Sequence, residues 1–128
     1  MRRTLASIAA AAILGATLTV GTATAVHADS WENKNALASA QSYVKILDFS
    51  EQGLYDQLTS EYGGDFPAAA AKYALKHLKV NYKREALGAA KSYQKTLHLS
   101  KNAIYDQLTS EFGGQFTNAQ AKWAIKHL

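Results

Sequence analysis

Apolar residues recur at intervals of three and four along residues 31–47, which is the spacing of one face of an α-helix. The positions on that face are Ala36, Leu37, Ala40, Tyr43, Val44 and Leu47. The same spacing returns further along the chain at Leu87, Ala90, Tyr93 and Leu97. No segment shows the sustained alternation of apolar and polar residues that is typical of a strand, so the pattern predicts an all-α protein.

The second helical face arises because the chain contains one sequence twice. Residues 36–78 reappear as residues 86–128 at a constant offset and without a gap, and residues 55–61 and 105–111 both read Tyr-Asp-Gln-Leu-Thr-Ser-Glu. A fixed period of roughly 20–50 residues marks a duplicated supersecondary unit. Two such small units in tandem favour a binding surface over the single asymmetric cleft of an enzyme.

A second, shorter helix is predicted in each copy. Ser50 and Ser100 stand where its N-cap is expected, and a serine oxygen there can accept a hydrogen bond from an unpaired first-turn amide. We expect the glycine pairs at 63–64 and 113–114 to end this helix, because glycine readily takes the left-handed conformation that terminates helices.

A third helix is predicted to begin near Pro67 in one copy and near Thr117 in the other. Thr117 and Gln120 have the spacing of a capping box, and proline is tolerated in a first turn because its missing amide has no partner there. Phe66 and Phe116 lie just before this helix and are expected to fill the core. The predicted apolar face consists of Ala71, Ala74, Leu75 and Leu78, matched by Ala121, Ala124, Ile125 and Leu128.

The resulting fold class is all-α, with two tandem three-helix repeats that each contain a helix-turn-helix. No glycine or proline interrupts residues 68–87. We therefore expect the last helix of the first repeat to continue into the first helix of the second as one long shared helix. The predicted repeats are residues 29–78 and 79–128.

The N-terminus has the features of an export signal. Arg2 and Arg3 precede a weakly apolar stretch, residues 5–26, and small residues before Asp29 suit a signal peptidase. We predict that residues 1–28 are a signal peptide and that the protein is secreted or associated with the cell envelope. Retention of this segment as a membrane anchor is the alternative.

Composition narrows the chemistry further. The chain has no cysteine, which excludes disulfides, thiol catalysis, cysteine-based metal sites and a lipid-bearing cysteine anchor. The four histidines do not group with other ligands as a zinc site requires. No Ser-His-acid set, phosphate loop or carboxylate pair stands out. We expect no catalytic residue, metal or cofactor, and no enzyme activity.

Three motifs occur in order in both copies and carry a family resemblance. They are Ala-Leu-x-x-Ala-x-x-Tyr, then Tyr-x-Gln-Leu-Thr-Ser-Glu, then Phe-x-x-x-x-Ala-x-(Tyr/Trp)-Ala. Together they resemble the Ltp-like helix-turn-helix repeat of host cell surface-exposed lipoproteins in Gram-positive bacteria and their phages. The chain departs from that family in lacking the lipid-anchoring cysteine and in having a second glycine in the turn.

The resemblance implies a role outside the cytoplasmic membrane. Known members of the family include superinfection-exclusion proteins, which stop an incoming phage from injecting its DNA by acting on the injection machinery. A similar role is implied here, with a protein partner such as a phage injection component.

The repeated motif and the acidic residues supply the candidate site. Repeat one has five acidic residues against three basic ones over residues 36–78, so a basic partner would be steered towards it. The candidate partner-binding residues are Asp48, Glu51, Asp56, Glu61 and Asp65. The residues predicted to have a structural role in the motif are Tyr55, Gln57, Leu58, Ser60, Tyr105, Gln107, Leu108 and Ser110.

Two other functions stay open at this point. An envelope module could bind cell-wall polymer or another surface protein through aromatic residues. The available ones are Tyr43, Tyr73, Tyr82, Tyr93 and Trp123, most of which are expected in the core, and Trp31, which either packs on the first helix or stays exposed. A helix-turn-helix also suggests DNA, but each third helix offers mainly alanine and two lysines, which could contact phosphate and could not read bases. An export signal argues against specific nucleic-acid binding.

Overall fold

The computed structural model describes residues 30–128, and all six of its helices belong to one compact unit, Trp31–Leu128. The helices are α1 (Trp31–Ile46), α2 (Glu51–Thr59), α3 (Ala68–His77), α4 (Tyr82–Leu97), α5 (Lys101–Thr109) and α6 (Asn118–His127). No strand occurs in this part of the chain, which confirms the predicted all-α class.

Each repeat is built on the pairing of its first and third helices. In repeat one, α1 packs chiefly on α3, and α2 contacts both; α4, α6 and α5 are arranged in the same way in repeat two. The first and third helices meet through fully or almost fully buried alanines, and the middle helix contributes the large side chains. The buried residues are Ala36, Ala40, Ala70, Ala71, Ala74, Leu54 and Leu58 in repeat one and Ala86, Ala90, Ala121, Ala124, Ile104 and Leu108 in repeat two, together with Phe116 from the turn before α6.

The predicted apolar faces are confirmed except at the end of each first helix. Leu47 is 61% exposed and Leu97 is 53% exposed, although both continue the three-and-four spacing. The first helices have 16 residues and the third helices only 10, so the longer helix has too short a partner to cover all of its turns. Periodicity identifies the face, and the length of the partner decides how much of it is buried.

The predicted caps are present. Ser50 Oγ accepts from the Gly53 amide at 2.9 Å, and the equivalent bond in repeat two is 3.2 Å long. Thr117 and Gln120 form the complete capping box, with bonds of 3.2 and 3.0 Å. Each such cap satisfies amides that the helix itself leaves unpaired.

The prediction of one long helix shared by the two repeats was wrong. Helix α3 ends at His77, Leu78 is extended, and α4 begins only at Tyr82. Asn81 starts the new helix, because its side-chain oxygen accepts from the amides of Lys83 and Arg84 at 3.1 and 3.3 Å. An asparagine side chain competes with the backbone for these amides, so it breaks a helix without any glycine or proline.

The expected role of the glycine pair was also wrong. Helix α2 ends at Thr59, before the glycines, and no glycine in residues 30–128 has a positive φ. The left-handed position in each turn belongs to the residue after the pair, Asp65 (φ 51°) in repeat one and Gln115 (φ 56°) in repeat two.

The glycines are needed for space. The turn folds back on the end of α2, where Gly64 N donates to Gln57 O at 3.0 Å and Phe66 N donates to Leu58 O at 2.8 Å. A Cβ at Gly64 would lie 2.8 Å from the Leu58 oxygen, and one at Gly63 would collide with the Gln57 oxygen. The pair therefore lets the turn pack directly against helix backbone.

We predict that Gly64→Ala lowers the free energy of unfolding by about 1–3 kcal/mol, because the new methyl group overlaps with the Phe66 ring and with the backbone oxygen of Leu58. Gly53→Ala is the matched control, since repeat two has Ala103 at this position beside an intact serine cap. Urea unfolding followed by circular dichroism measures both variants. Equal stabilities for the two would contradict the steric role of Gly64.

Candidate functional site

The repeated motif forms the helix-turn-helix itself. Leu58 and Leu108 are fully buried, and Tyr55 and Tyr105 pack half-buried against the same cores. The backbone oxygens of Gln57 and Gln107 accept from the turn at 3.0 and 2.9 Å. Ser60 Oγ and Ser110 Oγ each accept from the amide two residues on, at 3.1 Å. All eight predicted motif residues thus lie in the core or in the α2 and α5 ends from which the turns start.

Two polar seams join the repeats, and the first links the end of α1 to the start of α4. Glu85 Oε2 accepts from the Phe49 amide at 3.1 Å. Beside it, the Asp48 carboxylate lies so close to Gly88 that any Cβ there would collide with it. Repeat one has Ala38 at the position of Gly88, so this glycine makes room for the carboxylate of the other repeat.

The junction concentrates acidic groups in a partly buried place. Burial raises the pKa of Asp48. Burial also raises the pKa of Glu85, the Phe49 hydrogen bond lowers it, and the Asp48 charge raises it again. The pKa of Tyr82 rises to about 12 because of burial and the charges of Glu51 and Glu85. The Tyr82 hydroxyl is buried without a hydrogen-bond partner among the described residues. Charge at this junction opposes folding, and the single amide bond to Glu85 offsets part of that cost.

The second seam borders a groove of about 560 Å³. Asp56 receives two amide donors there, Gln52 Nε2 from its own helix and Gln115 Nε2 from the turn of repeat two, both at 2.9 Å. The groove is lined by Glu51, Gln52, Tyr55, Lys72, Leu75, Gln115, Thr117 and Gln120. Its size falls within the range of small-ligand pockets, and three of its polar side chains are glutamine amides.

Most of the positions that line the groove differ between the two repeats. Six of its eight lining positions hold a different residue in the other repeat. Gln115 shows why, because it stands where repeat one has Asp65 and adopts a left-handed conformation that glutamine, unlike aspartate, rarely takes. From that conformation its side chain reaches Asp56. The duplication therefore produced one asymmetric seam from two similar units.

The structure distributes the five candidate acids over three places. Asp48 lies at the junction, Glu51 and Asp56 lie at the groove, and Glu61 and Asp65 are exposed on the turn of repeat one. Sequence reasoning missed the residues of repeat two that lie against two of these acids, Glu85 beside Asp48 and Gln115 on Asp56. They could have been found only as differences between the repeats, since Glu85 replaces Asn35 and Gln115 replaces Asp65.

The third helices end in a repeated ring pair. His77 stacks on Tyr73 with ring centroids 4.0 Å apart, and His127 stacks on Trp123 at 3.9 Å. Each histidine Nδ1 also lies within 2.9 Å of the backbone oxygen of that aromatic residue. Within residues 30–128 no three His, Asp or Glu side chains come together as metal ligands would. The histidines thus contact the last turns of α3 and α6.

These features define a small, all-helical tandem-repeat scaffold with polar seams between its repeats. The sequence model of the family described as host cell surface-exposed lipoprotein matches residues 31–78 and 81–128, and the chain belongs to this family. The 128 residues contain no cysteine to which a lipid could be attached.

A solved structure shows the same architecture. The chain is similar to Ltp, a superinfection exclusion protein from the Streptococcus thermophilus temperate phage TP-J34, with 33% identity and a TM-score of 0.71. The similarity covers 77% of this chain and 97% of that one. No curated protein matches the chain. The comparisons confirm the predicted family and the predicted tandem-repeat fold.

Among residues 30–128, none of the helices combines the length and the apolar character needed to cross a bilayer. The predicted signal peptide, residues 1–28, lies outside the described part of the chain.

We predict that Glu85→Gln raises the melting temperature at neutral pH. Folding raises the pKa of Glu85 and of Asp48, so the stability linked to their protonated forms is present below the ordinary carboxyl pKa and is lost as pH rises through the raised one. A glutamine oxygen can still accept from Phe49 and carries no charge. The gain should shrink as pH falls through the raised pKa values and should be gone below the ordinary carboxyl pKa of about 4.

Glu32→Gln is the control for this change, because Glu32 is exposed in the first turn of α1 and far in sequence from the junction. Thermal unfolding at several pH values measures both variants. A lower melting temperature for Glu85→Gln at neutral pH would show that the hydrogen bond outweighs the cost of the charge.

We predict a coupling of about 0.5–1.5 kcal/mol between Asp56 and Gln115, as expected for one hydrogen bond. The measurement is a double-mutant cycle in urea with Asp56→Ala and Gln115→Ala. A second cycle pairs Asp106→Ala with Gln115→Ala, since Asp106 is the repeat-two equivalent of Asp56. Equal coupling in both cycles would exclude a specific bond across the groove.

Proposed function

We propose that this chain is a non-enzymatic binding protein that is exported to the cell envelope and excludes incoming phage. The observation that carries the proposal is the similarity to a superinfection exclusion protein, because it extends over 97% of that chain and therefore over both repeats. At 33% identity the likeness includes sequence as well as fold.

The proposed location outside the cytoplasm rests on two arguments. The family is described as surface-exposed on the host cell. The sequence pattern of residues 1–28 is that of a signal peptide. With no cysteine in the chain, we propose retention by contacts with other envelope components or release to the outside.

We propose a basic protein as the partner, for example a component of the phage injection machinery. Glu61 and Asp65 are exposed on the turn of repeat one, and Glu51 is exposed at the edge of the groove. Asp56 is held in place by two amides, which fixes the direction of its charge. Opposite charges across an interface accelerate encounter and select the partner.

The structure gives less support to an aromatic surface for wall polymer. Tyr73 and Trp123, two of the aromatic residues on which that alternative depends, each have one ring face covered by a histidine. Trp31 is 70% exposed, so wall binding remains a second candidate that rests on this residue. The polar groups at the groove are three amides, two hydroxyls, one lysine and one exposed glutamate, and no nucleophile–base pair is seen among them.

We expect cells of a phage-sensitive Gram-positive bacterium that express the full chain to give fewer plaques while adsorbing phage normally. Adsorption and plaque formation are scored together against cells that carry the empty vector. Normal plaque numbers across a broad phage panel would contradict exclusion, and retention of the pure protein by isolated walls would then favour the envelope module.

A charge-reversed variant, Glu51→Lys with Glu61→Lys, is expected to lose protection and keep its helical signal. Repeat two already has Lys101 at the first of these positions, so the fold accepts it. Glu32→Lys with Asp106→Lys changes the net charge equally, outside the candidate set and outside both turns, and should still protect. Protection by the first variant would exclude these acids from the contact.

A further inference from the structure

The two most exposed large hydrophobic side chains in residues 30–128 occupy the same position in the two repeats. Tyr62 is 91% exposed and Phe112 is 93% exposed. Each is at the apex of the turn that joins the second and third helices of its repeat, and neither belongs to a core cluster. The fold gains no packing energy from either ring.

The backbone below each ring is firmly held. In repeat one, Tyr62 N donates to Ser60 Oγ at 3.1 Å and Gly63 N donates to Ser60 O at 2.9 Å. Repeat two repeats both bonds, at 3.1 and 3.0 Å. The following glycines pack against the helix end without room for a Cβ. A rigid turn therefore presents an aromatic ring to solvent in both repeats.

Such rings are suited to anchoring a partner. Large aromatic side chains on a fixed backbone bury much apolar area for little loss of conformational freedom, and they are enriched among the residues that dominate protein interfaces. Many positions differ between the repeats, and this one differs only by a hydroxyl group. What the two positions share is the ring, so the ring is the feature a partner would recognise.

Neighbouring charges indicate the kind of partner. Residues 60–66 contain Glu61 and Asp65, residues 110–116 contain Glu111, and neither turn contains a basic residue. Acidic flanks would be repelled by an anionic membrane surface, where basic residues are the usual companions of interfacial aromatics. They complement a protein surface on which lysine or arginine borders an apolar pocket.

We propose that the two turns are paired aromatic anchors, in which Tyr62 and Phe112 insert into apolar pockets of a protein partner bordered by basic side chains. The proposal deepens the proposed function by naming how the partner is held, and it rests on that function only for the phage readout.

The direct test places the photo-crosslinking residue p-benzoylphenylalanine at position 62 or 112 of the full chain in cells, with and without phage. The exposed helix positions Ser42 and Ser92 serve as matched controls. We expect protein adducts from both turns that are absent from the controls, with the crosslinked peptide apolar and flanked by lysine or arginine. Adducts no different from the controls, or adducts to lipid or to a second copy of the chain, would overturn the proposal.

The functional test is the double variant Tyr62→Ser/Phe112→Ser, compared with Tyr62→Phe, which gives turn one the residue of turn two. Both should unfold at the wild-type temperature, because neither ring supports the core. We expect the serine variant to weaken protection at least about tenfold and the phenylalanine variant to retain it.

These two readouts separate the possible failures. If wild-type chain does not protect but both turns crosslink to such a protein, phage exclusion fails and the anchors stand. If the chain protects and the serine variant protects equally, the anchors fail and exclusion stands. Wild-type binding to phosphatidylcholine–phosphatidylglycerol vesicles that the serine variant loses would assign the rings to a membrane and overturn the proposal.

Discussion

Close approach of the first and third helices is the constraint on which each repeat depends. The contact is made of alanines, among them Ala36, Ala40, Ala71 and Ala74, all without exposed surface. Small side chains bring helix axes near the lower end of the usual range of separations. A contact made of alanines buries little apolar area. The middle helix therefore supplies most of the apolar area of the core, through Leu54 and Leu58 in one repeat and their equivalents in the other. The turn must then fold back tightly enough to bring the third helix into place, and this is why two consecutive positions there lack a side chain.

The small apolar area buried within each repeat also explains why the two repeats need contacts with each other. Units of this size bury too little surface to be generously stable alone. Two polar contacts nevertheless join them, a backbone amide on Glu85 in one seam and an amide side chain on Asp56 in the other. Polar seams depend on geometry and tolerate small shifts poorly, so they fix the orientation of two units more than they stabilise them. Burial raises the pKa of Asp48 and of Glu85, so at neutral pH the charged forms at the first of these seams oppose folding.

A fixed relation between the repeats matters for the binding role proposed for this chain. Every feature that could contact a partner, whether the groove, the acidic turn or the two exposed rings, belongs to a rigid turn or lies where the repeats meet. Two turns of equal conformation at a constant relative position can engage a partner at two points at once. Binding at two linked points gains from effective concentration and is far stronger than either contact alone. Duplication of a small helix-turn-helix would supply that second point without a new fold.

By itself, the sequence determined the helical faces, the caps, the duplication and the family, because each follows from local spacing or from residues near one another in the chain. Ser50, Thr117 and Gln120 act within one turn of helix, so their roles can be predicted without knowledge of any distant contact.

The sequence did not determine where a helix stops. Asn81 ended the expected shared helix, because its side chain accepts from the first-turn amides of a new helix. Leu47 continues the three-and-four spacing but is exposed, because the neighbouring third helix is shorter than the first. The glycine pair, the Asp48–Gly88 contact and the reach of Gln115 to Asp56 were decided only by tertiary structure, since each depends on which atoms of distant residues occupy the same space.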